Sequence, residues 1–223
     1  MAEFRIYRKL EPGEFIIATA DTGQGGSDWN CCTFMSFTKL DIPIVYWNDG
    51  VAATMTPDVH QALNFISDLT HVPPIVSFER NNGGSSELER LRVLNRTEKY
   101  QIYIMKDRKA QIDKLDDEES NLLGWKTSAS TRPYLLGEWK EQVDNHVVAF
   151  YDQRLLDHHK TFIKGKGGKP QAAKGAHDDG VIAASIGWQL YQTEVPPEKQ
   201  GLVDQQKAVH AARELMNQMR RVG

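Results

Sequence analysis

Asp21, Glu79 and the adjacent pair Asp178 and Asp179 sit at the ends of apolar runs in this 223-residue chain. Asp21 closes "FIIATA", Glu79 closes "PPIVSF", and the pair opens "GVIAASIGW". Packing alone gives no reason for a carboxylate at the tip of a buried strand, because an uncompensated buried charge is costly. Sites in open α/β sheets lie beyond the strand ends. If the strands ending at Asp21 and Glu79 are neighbours, both acids emerge at one edge. Asp178 and Asp179 open a helix, where backbone N–H groups favour negative charge, and they can join the same pocket.

Clustered carboxylates repel, and some are forced to hold protons. Divalent cations remove that repulsion, and an all-oxygen donor set favours Mg²⁺ or Mn²⁺ over zinc. Two such ions roughly 3.5–4 Å apart activate a water and stabilise the leaving oxygen in phosphodiester cleavage. No histidine base is then required. Each acid also has a plainer reading: Asp21 as a turn residue, Glu79 as a helix-entry charge, Asp178 and Asp179 as helix caps. Successive helical residues point ~100° apart, so the sequence leaves open which of the pair binds metal directly. Asp28 is a turn residue or a carboxylate supporting the ligands. "GQGGSD" precedes a strand rather than a helix, so it is a tight turn and not a phosphate loop.

The elements that must position these acids follow from periodicity. Residues 15–20, 31–38 and 42–47 read as strands joined by short turns, an antiparallel meander. A helix over 56–71 is expected to open with Thr56 as cap and Pro57 in its first position. Strand 73–79, a helix capped by Ser85 or Ser86 with Leu88, Leu91 and Leu94 inward, and strand 100–105 imply parallel pairing through crossover helices. Residues 106–124 read as a solvated loop. A helix opened by Ser130 or Thr131 buries Leu136, Trp139 and Val143. A short strand (147–151), the "DQRLLDHHKTF" segment and a glycine-tipped hairpin over 162–172 precede the last helix. Small residues Ala183, Ala184 and Gly187 fit that helix closely to the sheet. The expected class is α/β, a mixed sheet of meander plus parallel strands flanked by helices. The expected domain spans 1–195, with a partly helical or disordered tail over 196–223.

Composition narrows the class further. A 40% hydrophobic share and a formal net charge of −3 fit a globular protein with no partner dictated by overall charge. Cys31 and Cys32 are adjacent and cannot staple distant segments or ligate a metal, so they read as core residues of a cytosolic protein. No apolar run reaches the ~18 residues of a membrane span, and the charged amino terminus is no signal peptide.

Four stretches together resemble the nuclease domain of the large terminase subunit of tailed bacteriophages. "IIATADTGQGGSDWN" resembles the first acidic motif and "IVSFERNNGG" the second. "LGWKTSASTRPYLLGEW" is similar to the family's Thr-rich segment before a basic residue and Pro. "KGAHDDGVIAASIGWQL" resembles the third acidic motif. The resemblance covers about residues 12–193. It implies an RNase H-like fold and metal-dependent, largely sequence-nonspecific cutting of concatemeric double-stranded DNA at the start and end of packaging. It makes Asp21, Glu79 and Asp178 ligands of two divalent ions, Mg²⁺ or Mn²⁺, with Asp179 an accessory ligand or a carboxylate supporting the ligands. It also implies partners: the terminase ATPase domain, the small subunit and the procapsid portal, all in the host-cell cytoplasm with no membrane. The sequence holds no Gly-x-x-x-x-Gly-Lys-Ser/Thr loop, so the expectation is a nuclease separated from its motor, without ATP hydrolysis.

An acidic pocket repels phosphate, so basic groups are expected around it. Lys160, Lys164, Lys166, Lys169 and Lys174 fall in an acid-free segment that a hairpin can lay along DNA; a solvated loop is the alternative. Lys106, Arg108 and Lys109 form an opposite wall or a solvated run. Arg132, at a helix start, suits a phosphate contact or a surface salt bridge. Backbone contact without base reading implies weak, salt-sensitive binding. His158 and His159 read as surface or half-buried, and His177 orients a carboxylate, contacts phosphate or packs at the helix entry. A Holliday-junction resolvase, another RNase H-like nuclease, and a non-catalytic DNA-binding or docking module are the alternative readings.

Overall fold

The computed structural model describes residues 2–23, 25, 29–105, 123–165 and 168–194. Asp28, Lys106, Arg108, Lys109, Lys166, most of the predicted 106–124 loop and the whole predicted tail lie outside the described residues. A mixed sheet forms the middle layer, in the order β1 (Ala2–Ile6), β4 (Asp41–Asn48), β3 (Asn30–Ser36), β2 (Ile16–Asp21), β5 (Ile75–Phe78), β6 (Gln101–Ile102). The meander β2–β3–β4 is antiparallel; β5 pairs parallel with β2, and β6 parallel with β5. A short β7 (Ala149–Phe150) runs parallel to the start of β4, while β1 covers the rest of that edge.

Helices cover both faces, so the central strands bury side chains on each side and read as unbroken apolar runs. One core joins Ile16, Ala18, Phe34 and Tyr46 to α1 (Ala52–Thr70) and α2 (Gly84–Leu94). The other joins Ile17, Met35, Val45 and Trp47 to α3 (Thr131–Asp144), α4 (Gln153–Lys160) and α5 (Asp179–Glu194). A small hairpin, β8 (Phe162–Lys164) and β9 (Pro170–Ala172), stands apart from the sheet.

Several local expectations need correction. Helix α1 starts at Ala52 rather than Thr56, and Pro57 lies inside it. Pro57 has no N–H for the Ala53 carbonyl, and Arg90 Nη1 supplies a replacement donor at 3.1 Å. The Thr56 hydroxyl is no cap: it donates to Glu87 Oε2 at 2.6 Å and ties α1 to α2. Gly83, in the left-handed region, caps α2 instead of Ser85 or Ser86. Leu94 is exposed rather than inward. The strands expected over 100–105 and 147–151 shrink to two residues each. Strand β1 has no counterpart in the sequence reading, because its alternating exposure belongs to an edge strand among charged residues.

Helix α5 is buried from Asp179 to Tyr191 on every side, which is the position expected of a helix with no polar face. The Thr19 hydroxyl donates to the Ala183 carbonyl at 2.7 Å and fixes α5 against β2. A Cβ on Gly187 would sit 3.0 Å from Thr19 Oγ1 and 3.4 Å from Met35 Cε. Gly187→Val overpacks this contact and should lower stability by ~1–3 kcal/mol, read from the urea midpoint; an unchanged midpoint would mean that α5 has slack against the sheet.

Candidate functional site

The parallel register sets the first two carboxylates. Ala20 lies opposite Phe78, and the Glu79 N–H donates to the Ala20 carbonyl at 2.7 Å. Asp21 and Glu79 are therefore the next residues on neighbouring strands. By alternation they share the face of Ile17, Thr19, Ile75 and Ser77, which is the α5 face. Gly84 lets the start of α2 press against the end of β5: a Cβ there would lie 1.9 Å from the Glu79 carbonyl oxygen. The Asn81 amide donates to Glu79 Oε1 and to the Thr127 carbonyl, each at 3.3 Å. The turn after Asp21 is pinned by Asn30, which accepts from Gly23 N at 2.9 Å and donates to the Gly50 carbonyl at 2.6 Å.

The other wall comes from two helix starts. Asp178 immediately precedes α5 and Asp179 is its first residue. The buried His158 accepts from Gly180 N at 3.2 Å and packs edge-on to Trp47 with ring centroids 5.0 Å apart. His158 is thus a core residue, not a surface or half-buried one. Burial pushes its imidazole down to about 4, with His177 and His159 adding to the effect, so it stays a neutral acceptor. His177 stacks on His158, and its Nδ1 lies 3.8 Å from Asp179 Oδ2, as a carboxylate-orienting residue would. The start of α3 is fixed by a reciprocal pair: Ser128 N donates to Thr131 Oγ1 at 2.8 Å, and Thr131 N to Ser128 Oγ at 3.1 Å. Arg132 then reaches across to Asp178, with Nη2 2.9 Å from Oδ2.

These elements enclose a cavity of about 610 Å³ lined by Asp21, Thr22, Glu79, Asn81, Asn82, Thr127, Ser128, Ala129, Arg132, Asp178, Asp179 and Ile182. All four acids named from the sequence share it. Asp21, Glu79 and Asp179 are buried, whereas the Asp178 carboxylate is about a third exposed. Burial pushes the Asp21 carboxyl well above its ordinary range, and Glu79, then Asp179 and Asp178, push it further. The starts of α3 and α5 border the cavity, so positive helix ends partly offset this charge.

Among the described residues, no three His, Cys, Asp or Glu side chains are gathered closely enough to hold a metal ion as they stand. The donor chemistry does fit hard divalent cations: four carboxylates face one cavity, and burial, with the neighbouring carboxylates adding to it, pushes the Asp21 carboxyl well above its ordinary range. Of the proposed DNA contacts among the described residues, Arg132 alone lines the cavity. Lys160, Lys164 and Lys169 are exposed on α4 and the hairpin, and Lys160 lies 3.7 Å from Asp157. Sequence reading gave no role to Thr22, Thr127 and Ser128, nor to the amide of Asn81, though all four fall within the quoted motifs. Asn30 also falls within a quoted motif without a role assigned to it, and nothing in the sequence marked His158, whose role depends on the backbone N–H of Gly180 on another helix.

A raised carboxyl has a definite linkage sign. Folded Asp21 holds its proton above the ordinary value of 3.8, so folding takes up a proton there. Its contribution to metal-free stability falls as pH rises through that window. His158, depressed in the folded state, works in the opposite direction between about 4 and 6.5, so the difference between two proteins is the clean readout. With chelator present, Asp21→Asn should melt above the wild type near pH 8, and the gap should close toward pH 4. A gap that widens on acidification would contradict this.

No family model matches the chain, and no curated protein matches it. Solved structures do. The large terminase nuclease from thermophilic phage G20c with bound magnesium is 14% identical, aligned over 83% of this chain and 86% of its own, with a TM-score of 0.57. The same nuclease with bound cobalt gives 15%, 83%, 86% and 0.55. The large terminase nuclease domain of Thermus phage P74-26 gives 15%, 85%, 86% and 0.56. At this identity the likeness carries the architecture: the chain has the RNase H-like fold of the large terminase nucleases, the fold that its acidic motifs imply.

Proposed function

We propose that this chain is the metal-dependent endonuclease domain of a viral DNA-packaging terminase, cutting concatemeric double-stranded DNA when packaging starts and ends. The observation that carries the reading is the convergence of Asp21, Glu79, Asp178 and Asp179 on one cavity, in a chain with the fold of terminase nucleases. The four acids are the proposed holders of two divalent ions, Mg²⁺ or Mn²⁺. When bound, such ions supply a nucleophilic hydroxide and stabilise the departing oxygen.

The chain's own groups do the positioning. Asp21 and Glu79 stand on paired strands and cannot drift apart without breaking the sheet. Asp179 is buried on α5, which Thr19 ties to the same strand. The reaction forms one P–O bond to the oxygen of water and breaks the P–O3′ bond. It leaves a 5′-phosphate and a 3′-hydroxyl, the latter receiving a proton. The hairpin carrying Lys164 and Lys169 joins the acidic pair through a short segment. Its exposed ammonium groups, with Lys160, suit the DNA backbone, and Lys166, Lys106 and Arg108 belong to the same proposal. Phosphate contacts without base contacts fit cutting of little sequence preference.

Supercoiled plasmid tests this directly. Nicking should require Mg²⁺ or Mn²⁺ and stop with chelator. Asp21→Asn and Glu79→Gln should each lose at least ~10²-fold in rate, because several kcal/mol of transition-state stabilisation depend on the ions, while circular dichroism stays native. Undiminished cutting by either variant would defeat the reading. No nicking by the wild type under any divalent ion would favour a docking module, and preference for a four-way junction over linear duplex would favour a resolvase. A triple variant, Lys160, Lys164 and Lys169 each to Ala, should bind duplex more weakly and reduce the salt slope by roughly 3; an unchanged slope would remove the hairpin from the DNA path.

A further inference from the structure

Arg132 is the only basic side chain among the described residues that line the cavity. Its ion pair with Asp178 differs from the rest of the site in being open to solvent. The two side chains are 34% and 31% exposed, whereas Glu79 and Asp179 are each 6% exposed. Both backbones are nevertheless fixed. Arg132 N donates to the Ser128 carbonyl at 2.9 Å, and the Asp178 carbonyl accepts from Ile182 N at 2.9 Å. Only the side-chain torsions are left to move, and an exposed pair of this kind is weak. The guanidinium neutralises the one carboxylate of the four that solvent reaches most easily. A divalent cation entering among the carboxylates competes with that guanidinium for Asp178, and an exposed pair holds its partner only weakly.

We propose that Arg132 is a place-holding cation. It sits on Asp178 while the cavity holds no ion, gives up that carboxylate to an incoming divalent cation, and turns to the nearest other anion at the mouth, a backbone phosphate of the DNA. Ion loading and DNA binding are then coupled, and each tightens the other by the same factor. This rests on the nuclease reading and adds an order to it: the residue that grips phosphate becomes available only when the ions are in place.

A double-mutant cycle on Mn²⁺ binding, followed by calorimetry with the metal alone, tests it. Arg132→Gln should bind Mn²⁺ roughly two- to fivefold more tightly than the wild type, the range for losing one exposed competing pair. The gain should vanish when Asp178→Asn is already present. No gain, or the same gain in both backgrounds, would mean that Arg132 acts through its general field or not at all, and the exchange falls. If Asp178→Asn binds too weakly to titrate, a crystal soaked in Mn²⁺ decides. Arg132 Nη2 beyond hydrogen-bond reach of Asp178 supports the exchange, and an intact pair beside a bound ion overturns it. A second arm measures affinity for a short duplex. Arg132→Gln should weaken it with Ca²⁺ present and leave it unchanged with chelator; equal losses would place the guanidinium on phosphate permanently and overturn the exchange. The wild type binding Mn²⁺ but failing these tests sinks only the exchange, whereas a wild type that neither binds Mn²⁺ nor nicks plasmid sinks the nuclease reading beneath it.

Discussion

The parallel pairing of β2 with β5 is the contact on which the site depends. It places Glu79 one step beyond Phe78 and Asp21 one step beyond Ala20, locked by a backbone hydrogen bond between the strands. Two carboxylates are thereby held side by side at the sheet's edge, on the face that α5 covers. A one-residue slip would turn one of them to the opposite face. The register is held by burial on both sides: Ile17 and Ile75 belong to one core, Ala18 and Val76 to the other. The hydrophobic pattern of two strands thus sets the distance between two acids.

Such an arrangement works against stability unless something offsets the charge. Three devices do so here. The starts of α3 and α5, with their positive ends, border the cavity. Asp21 is pushed toward its protonated form by burial and by its neighbours. Arg132 neutralises Asp178 directly. Close packing around the site is equally specialised. Gly84 and Gly187 occur where a single methyl group would meet the Glu79 carbonyl or the Thr19 hydroxyl. Ala is ordinarily the better helix former, so glycine at these helix positions reflects the closeness of a neighbouring strand rather than local preference.

Much of this was legible in the sequence, and the reason is periodicity. Strands buried on both faces appear as apolar runs, and the acids that end those runs stand out. Ile17, Thr19 and Asp21, with Ile75, Ser77 and Glu79, also share a parity that predicts a common face. What the sequence hid is non-local. Helix α1 begins before its proline because Arg90 on α2 satisfies the orphaned Ala53 carbonyl. Gly83 caps α2 where serines were available, because Gly84 must approach Glu79 closely. His158 holds a backbone N–H at the start of α5, which no spacing in the sequence records. Edge strand β1 pairs across its length with β4, but carries the charged pattern of a surface segment.

The carboxylates differ in how far they can adjust, and that difference gives the cavity a direction. Asp21, Glu79 and Asp179 are buried on a paired strand, at its neighbour's end and on a helix packed against both. They form a rigid floor. Asp178 and Arg132 are about a third exposed and are joined to each other by their side chains. A cavity lined entirely by fixed acids would repel any anion. In the proposed exchange, one exposed guanidinium beside one exposed carboxylate changes the charge at the entrance through side-chain torsions.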